Sequence, residues 1–327
     1  MTARVRAVVV NWNGRHLLTR CLDSLLAQDL ASGELEIVLV DNASTDGSVE
    51  LVETHYPGVR VVQTHTNLGF AGGVNAGLAA LEAPFAALLN NDAVFEPDAL
   101  RRLVEHLERP ENARVAAATA RILLTEPDSH GRTLVNSTGN VLTRTGGATD
   151  RDWLVVAGGD DDDAGPEVFG FCGGAALLRT ATLDEVGLFD ADLFLYYEDT
   201  DLSWRMRAAG WDIHYVAEAV AHHEHAASSD STSGLFRYYN TRNSLLVLAR
   251  HAPLGPVLRS ALRQTAALVR YSLTRQEEAA LLRARRRALV DVARAVPATV
   301  RRRRRTWAGR AALRTAVYRS AVMDDRA

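Results

Sequence analysis

Short apolar runs that end in clusters of Asn and Asp constrain the fold of this chain more than any other feature. Residues 5–10 run into Asn11-Trp12-Asn13, residues 36–40 into Asp41-Asn42, and residues 85–89 into Asn90-Asn91-Asp92. Runs that are apolar throughout, with no alternation, suit parallel strands buried on both faces. Between them, residues 16–28 place Leu17, Leu18, Cys21, Leu22, Leu25 and Leu26 at helical spacing. Residues 48–55 and 98–108 read as further helices, residues 59–63 and 115–119 as further strands. The glycine-rich segment 67–77 leads into a helix reaching about Glu82. Strands alternating with helices predict an α/β chain with a parallel, Rossmann-like sheet covered on both faces. Such sheets bind ligands beyond the carboxyl ends of their strands, which is where the polar clusters stand.

The later chain is less regular. Residues 125–168 are polar and rich in turn formers, and residues 168–178 are apolar and contain Gly173-Gly174. Glu198 opens a helix expected to reach Ala209 and stop at Gly210. Residues 213–216 and 219–222 read as strands. From Leu235 the pattern is helical, punctuated by Pro253, Pro256 and Pro297. The expected division is a catalytic domain over 1–230, its nucleotide half about 1–100 and its acceptor half 100–230, with an Arg-rich helical region over 231–327.

Two common nucleotide sites are excluded. A dinucleotide fingerprint needs GxGxxG after the first strand, where this chain has Asn11-Trp12-Asn13-Gly14. A P-loop needs a lysine, and all 37 basic residues are arginine. Asp92 stands where a carboxylate can hold a hard divalent cation that also binds phosphate oxygens, although Asn and Asp also simply end strands. Glu198-Asp199-Thr200-Asp201 either caps its helix or offers a general base whose ionised form the helix N-terminus favours. In His222-His223-Glu224-His225 the first two histidines face opposite sides of a strand, so both cannot bind one ion. Asp160 to Asp163 read as a solvated loop, and the glycines of 69–73 would let backbone approach a ligand closely.

In chain order these clusters resemble the motifs of the family 2 glycosyltransferases, closest to the rhamnosyltransferase-like branch. The blocks are residues 8–13, Val40-Asp41-Asn42, residues 67–75 and Leu88 to Asp92. They continue through Gly173-Gly174-Ala175, Phe189-Asp190, Tyr197 to Leu202, Arg205, Gly210, Val220 to His223, Tyr238-Tyr239 and Arg242-Asn243, over about residues 5–245. The resemblance implies a GT-A fold with a C-terminal helical extension. It also implies inverting transfer of a sugar, rhamnose being the first expectation, from a nucleotide diphosphate with Mg²⁺ or Mn²⁺. By similarity Asp41 would meet the donor's base, and Asn11, Asn67 and Gly73 would line the nucleotide pocket. Asn90, Asn91 and Asp92 fall at the Asp-x-Asp motif, with Asn in place of its first acid, so Asp92 is the expected metal ligand. His222 matches the histidine that completes the metal site, with His223 as second choice. Asp199 matches the base, with Glu198 as runner-up, and Gly173 and Gly174 would border the acceptor. The expected donors are deoxythymidine-diphosphate rhamnose or a UDP-sugar, and the acceptor a glycan, a lipid-linked sugar or a small molecule. Decoration of a natural product, or a nucleotide-sugar-binding protein without activity, are the alternatives.

Charge divides the chain. From Arg250 onward there are 19 arginines against five acids, while the first 249 residues carry 18 against 35. The tail's pattern suits an anionic membrane surface or pairing with the acidic body or a second subunit; sparse aromatics argue against nucleic acid. Two cysteines, Cys21 and Cys172, exclude a disulfide scaffold. No apolar run approaches the roughly 20 residues of a membrane span, and the start lacks a signal-peptide pattern, so the expected location is cytoplasmic, possibly against the membrane's inner face.

Overall fold

The computed structural model describes residues 3–158, 165–224 and 233–322. The elements run β1 (Val5–Asn11), α1 (Arg15–Leu26), β2 (Leu35–Asp41), α2 (Ser48–His55), β3 (Arg60–Gln63), α3 (Gly69–Gly77), β4 (Phe85–Leu89), β5 (Ala93–Phe95) and α4 (Ala99–Glu108). They continue as β6 (Val115–Leu124), β7 (Val135–Ser137), β8 (Asn140–Leu142), β9 (Ala148–Asp150), β10 (Ala175–Arg179), α5 (Thr180–Val186), α6 (Glu198–Ala208) and β11 (Asp212–His223). Four helices follow: α7 (Gly234–His251), α8 (Leu254–Thr274), α9 (Ala279–Trp307) and α10 (Ala311–Ala321).

A nine-stranded sheet orders them β3-β2-β1-β4-β10-β6-β11-β5, with β7 paired to β6. Strands β1 to β4 are parallel, with β1, β2 and β4 largely buried and β3 at the edge. β10 then enters antiparallel between β4 and β6. Each sheet face carries its own core. On one, Leu18, Leu22 and Leu25 of α1 and Leu100, Leu103 and Leu107 of α4 are buried; burying a leucine contributes about 1.5–3 kcal/mol. On the other, Val74 of α3 and Leu202 and Met206 of α6 pack on the sheet.

Several expectations are corrected. The helix expected to reach Glu82 ends at Gly77, because the buried Arg6 guanidinium donates to the carbonyls of Gly77, Ala79 and Ala80 and so caps the last turn. Residues 125–168 hold three short strands; three-residue strands carry too few side chains to show a period. The two strand-like runs near residues 213 and 219 form one strand, β11, with a register shift between Val216 and Val220. Pro297 lies inside α9 and does not end it. The acidic run 160–163 lies outside the described residues.

The arginine-rich region is partly a structural element. Arg302 pairs with Asp190 and, at 2.7 Å, Asp192, while Arg303 donates to the carbonyls of Ala249 and Ala252 at 2.7 Å each. The Asp201 carboxylate, two residues beyond Asp199, meets Arg205 at 2.9 Å and Arg250 and His251 at 3.0 Å each. Burial would raise the Asp201 pKa, but the His251 hydrogen bond and the arginine charges hold it well below the usual carboxylate range. Trp307 Nε1 donates to His251 Nδ1 at 3.2 Å, which leaves the ring's hydrogen on Nε2, facing Asp201. Thus α9 is tied through α7 to α6. Among the described residues no helix is long and apolar enough to cross a membrane.

Candidate active site

The parallel register sets Asn11 beside Asp41 at the carboxyl ends of β1 and β2. Both are buried. Asn91 donates to Asn11 Oδ1 at 2.9 Å, and the Ser44 amide donates to Asp41 Oδ2 at 2.9 Å. The ends of three strands are therefore laced by side chains. Asn90 and Asp92, flanking Asn91, instead line a pocket of about 220 Å³.

Among the segments that meet in that pocket are Asn90 and Asp92 after β4, Gly173 and Gly174 before β10, Glu198 and Asp199 opening α6, and His223 ending β11. Phe70, Ile122, Leu195 and Tyr196 supply apolar wall. Asp92 Oδ1 lies 3.0 Å from His223 Nε2, and His223 Nδ1 lies 2.5 Å from Asn136 Oδ1. With Nδ1–H directed at an amide oxygen, Nε2 faces the carboxylate, the arrangement of a metal-binding imidazole held by an outer hydrogen bond. Neighbouring ligands of an octahedral ion at about 2.1 Å stand about 3 Å apart, so Asp92 and His223 fit two positions of a hard divalent cation. Among the described residues no third His, Cys, Asp or Glu joins them in a metal cluster. A cation that keeps water and phosphate ligands needs only one or two protein groups.

His222, the first choice for that role, has its Nε2 3.1 Å from Glu96 Oε1 on the other side of β11, and lines a second pocket that Asp92 also borders. The strand's alternation separates the two histidines. Gly73 is buried, and a Cβ there would sit 2.6 Å from Val10 Cγ1, so its lack of a side chain lets α3 pack close against β1. Asn67 caps α3 by accepting from the Gly69 amide at 2.8 Å. Gly69, at φ +71°, would place a Cβ 2.3 Å from the Phe194 carbonyl. At Gly69 and Gly73 the missing side chains let backbone segments of the protein approach one another.

Asp199 is held by four donors. Oδ2 accepts from Asn140 Nδ2 at 2.8 Å and the Gly173 amide at 3.2 Å. Oδ1 accepts from the Thr200 amide at 2.6 Å and its hydroxyl at 3.2 Å. Burial nevertheless raises its pKa above the ordinary value, against these hydrogen bonds. The expectation that the helix start leaves a readily ionised acid is thus corrected: desolvation outweighs position. Glu198 is pushed well above the carboxylate range by burial and then by the charge of Asp199, and its Oε2 has no hydrogen-bond partner among the described residues.

Two residues lining the pocket, Asn136 and Asp150, and the Asp199 donor Asn140 escaped the sequence reading. Asn136, Asn140 and Asp150 come from β7, β8 and β9. Burial, reinforced by the Asp199 charge and opposed chiefly by the Ser137 hydrogen bond, brings Asp150 up to about 6. The signal available was the polar run Asn136-Ser137-Thr138-Gly139-Asn140 between the apolar pairs Leu134-Val135 and Val141-Leu142.

The turn before α6 is strained. Phe194, Tyr196 and Tyr197 have φ of 65°, 67° and 72°, at roughly 1–3 kcal/mol each. Asn243 of α7, fully buried, holds it by donating to the carbonyls of Leu193, Leu195 and Tyr196 at 2.8–2.9 Å. Asn243→Ala is expected to cost about 1–3 kcal/mol in a denaturant melt and to lower kcat with donor KM unchanged. A wild-type kcat would show that the turn stands without it.

The profile of the family described as Glycosyl transferase family 2 matches residues 7–187. The chain belongs to that family. This family 2 glycosyltransferase is 29% identical over 303 residues to an N-acetylglucosaminyl-diphospho-decaprenol L-rhamnosyltransferase of Mycobacterium tuberculosis, covering 84% of this chain and 96% of the relative. Its fold matches a mannosyltransferase of Pyrobaculum calidifontis, solved with GDP-Man and Mn²⁺, at TM-score 0.55 and 19% identity over 97% of this chain and 86% of that one. It also matches GalNAc-T7, solved with UDP, GalNAc and Mn²⁺, at TM-score 0.58 and 15% identity, over 76% of this chain but 48% of that one. The sheet and its covering helices are the GT-A fold, followed by helices α7 to α10.

Proposed function

We propose that this glycosyltransferase transfers L-rhamnose, with inversion, from a deoxythymidine-diphosphate donor to a hydroxyl of a lipid-linked sugar in cell-surface glycan synthesis. One observation carries the reading. Asp92 and Asp199, from separate segments, line the same pocket. The likeness to the mycobacterial rhamnosyltransferase along nearly its whole length supports the choice of sugar and acceptor.

Asp199 has the task of the base. It takes the acceptor hydroxyl's proton as that oxygen bonds to the anomeric carbon, and the bond to the diphosphate breaks on the opposite face, its electron pair leaving with the phosphate. Asn140 and the Gly173 amide fix the carboxylate's direction, so little reorganisation accompanies the transfer. Asp92 and His223 are the groups to hold a divalent cation, which would neutralise charge on the departing diphosphate. Asn11 and Asp41 are assigned to the nucleotide, and Gly173 and Gly174 to the acceptor side.

Melting shifts of the purified protein test this. Deoxythymidine-diphosphate rhamnose with Mn²⁺ or Mg²⁺ is expected to raise Tm more than UDP- or GDP-sugars do; saturation at 100 times Kd stabilises by about 2.7 kcal/mol. An equal shift in chelator, or a larger one with another nucleotide sugar, would refute the cation or the donor respectively.

A further inference from the structure

Helix α8 turns its apolar side outward. Of its 21 residues only Ser260 is buried among the described residues. Leu254, Leu258, Leu262, Val269 and Leu273 are 64%, 61%, 71%, 53% and 79% exposed. At about 100° per residue these five fall within roughly 100° of the helix circumference, a continuous ridge. Arg259, Arg263 and Arg270 follow along one edge of that ridge, and the helix contains no acid. Helix α9 buries Ala288 and Trp307, and the large apolar residues it exposes are valines, Val290, Val296 and Val300 at 43%, 50% and 39%.

A ridge of this size on a soluble surface marks an interaction site. Its charge selects the occupant. Residues 254–290 carry eight arginines against two glutamates, and one of the two, Glu277, pairs with Arg285 at 2.7 Å and Arg237 at 3.4 Å. A second copy would set arginine against arginine. An anionic bilayer instead offers acyl chains to the ridge and phosphates to its arginine edge. We propose that α8 lies in the headgroup region of an anionic membrane with its Leu254–Leu273 ridge inserted, as a peripheral anchor. The helix is also joined to the pocket: Arg263 Nη2 donates to the Thr145 carbonyl at 3.1 Å, in the turn between β8 and β9, whose strands carry Asn140 and Asp150. An anchor there would hold the acceptor side of the pocket near the surface in which a lipid-linked acceptor resides. The anchoring itself does not rest on the donor or acceptor named above.

Sedimentation of the full chain with vesicles tests this. Vesicles of phosphatidylcholine with phosphatidylglycerol are expected to carry the protein down, and phosphatidylcholine alone much less. The double variant Leu258→Glu/Leu262→Glu, at exposed positions, is expected to bind anionic vesicles at least tenfold more weakly with Tm and far-UV circular dichroism unchanged. Equal binding by the variant, or no binding to anionic vesicles, overturns the proposal. So does a dimer in ultracentrifugation, without vesicle binding, that the variant dissolves. Because no sugar donor enters these assays, their failure leaves the transferase reading standing, and failure of the melting-shift test leaves the anchor standing.

Discussion

Asp199→Asn is expected to lower turnover by about 10²–10⁴-fold, the range that general-base catalysis supplies, while donor binding persists. The substitution keeps the side chain's shape and removes its basic oxygen. Its amide also sets hydrogens against a site built of donors, the Asn140 amide, the Gly173 and Thr200 backbone N–H groups and the Thr200 hydroxyl. Retained cation-dependent donor binding would show that the loss is chemical, and turnover near wild type would remove Asp199 as base. The wild-type pH profile follows from the same carboxyl. Transfer needs it ionised, so the rate falls as pH drops through its pKa. Burial has raised that pKa, so the acid limb is expected above the ordinary 3.8. Asp150, brought up to about 6 in the same pocket, adds its own protonation there. Two interacting carboxyls titrate as a pair, and the profile reports the pair.

Asp92→Ala is expected to abolish the cation-dependent part of donor affinity, measured by calorimetry with and without Mn²⁺. His223→Ala should weaken it as well, and His222→Ala should leave it near wild type, since that ring pairs with Glu96. Asn136→Ala removes only the group that orients His223, a role whose loss commonly costs about 10–100-fold in metal affinity. Affinity that is unchanged in Asp92→Ala, or lost in His222→Ala and not in His223→Ala, would place the cation elsewhere. The series separates the two adjacent histidines by the face of β11 each occupies.

The parallel half of the sheet was legible because β1, β2 and β4 are largely buried and their residues are mostly apolar. Asn11, Asp41 and Asn90-Asn91-Asp92 were legible for the complementary reason: they are polar residues at the points where those runs stop. What failed was local. The choice between His222 and His223 depends on the phase of a strand that carries a register shift at residues 216–220, and that shift leaves no mark on composition. The glycines of 69–73 show in sequence that side chains are missing, not that Phe194 and Val10 stand against them. The ionisation of Asp199 was judged from its helix, although enclosing walls from distant positions, Phe70 and β7 to β9, bury it and raise its pKa. Asn140 and Asp150 were hidden because three-residue strands have no period to detect.

The reach of Asn243 across to the turn before α6 bears on how such an enzyme could be rebuilt. A helix that starts beyond the last strand supplies the amide that keeps Tyr196 and Tyr197 in their unfavourable conformation. A shortened version cut near residue 230, or a hybrid that borrows the rear helices of a distant cousin, would retain every pocket carboxylate yet lose the strut that aims one of them. Swapping acceptor preference by exchanging that rear portion would therefore require carrying Asn243 and its spacing from Leu245 and Leu246 across the junction.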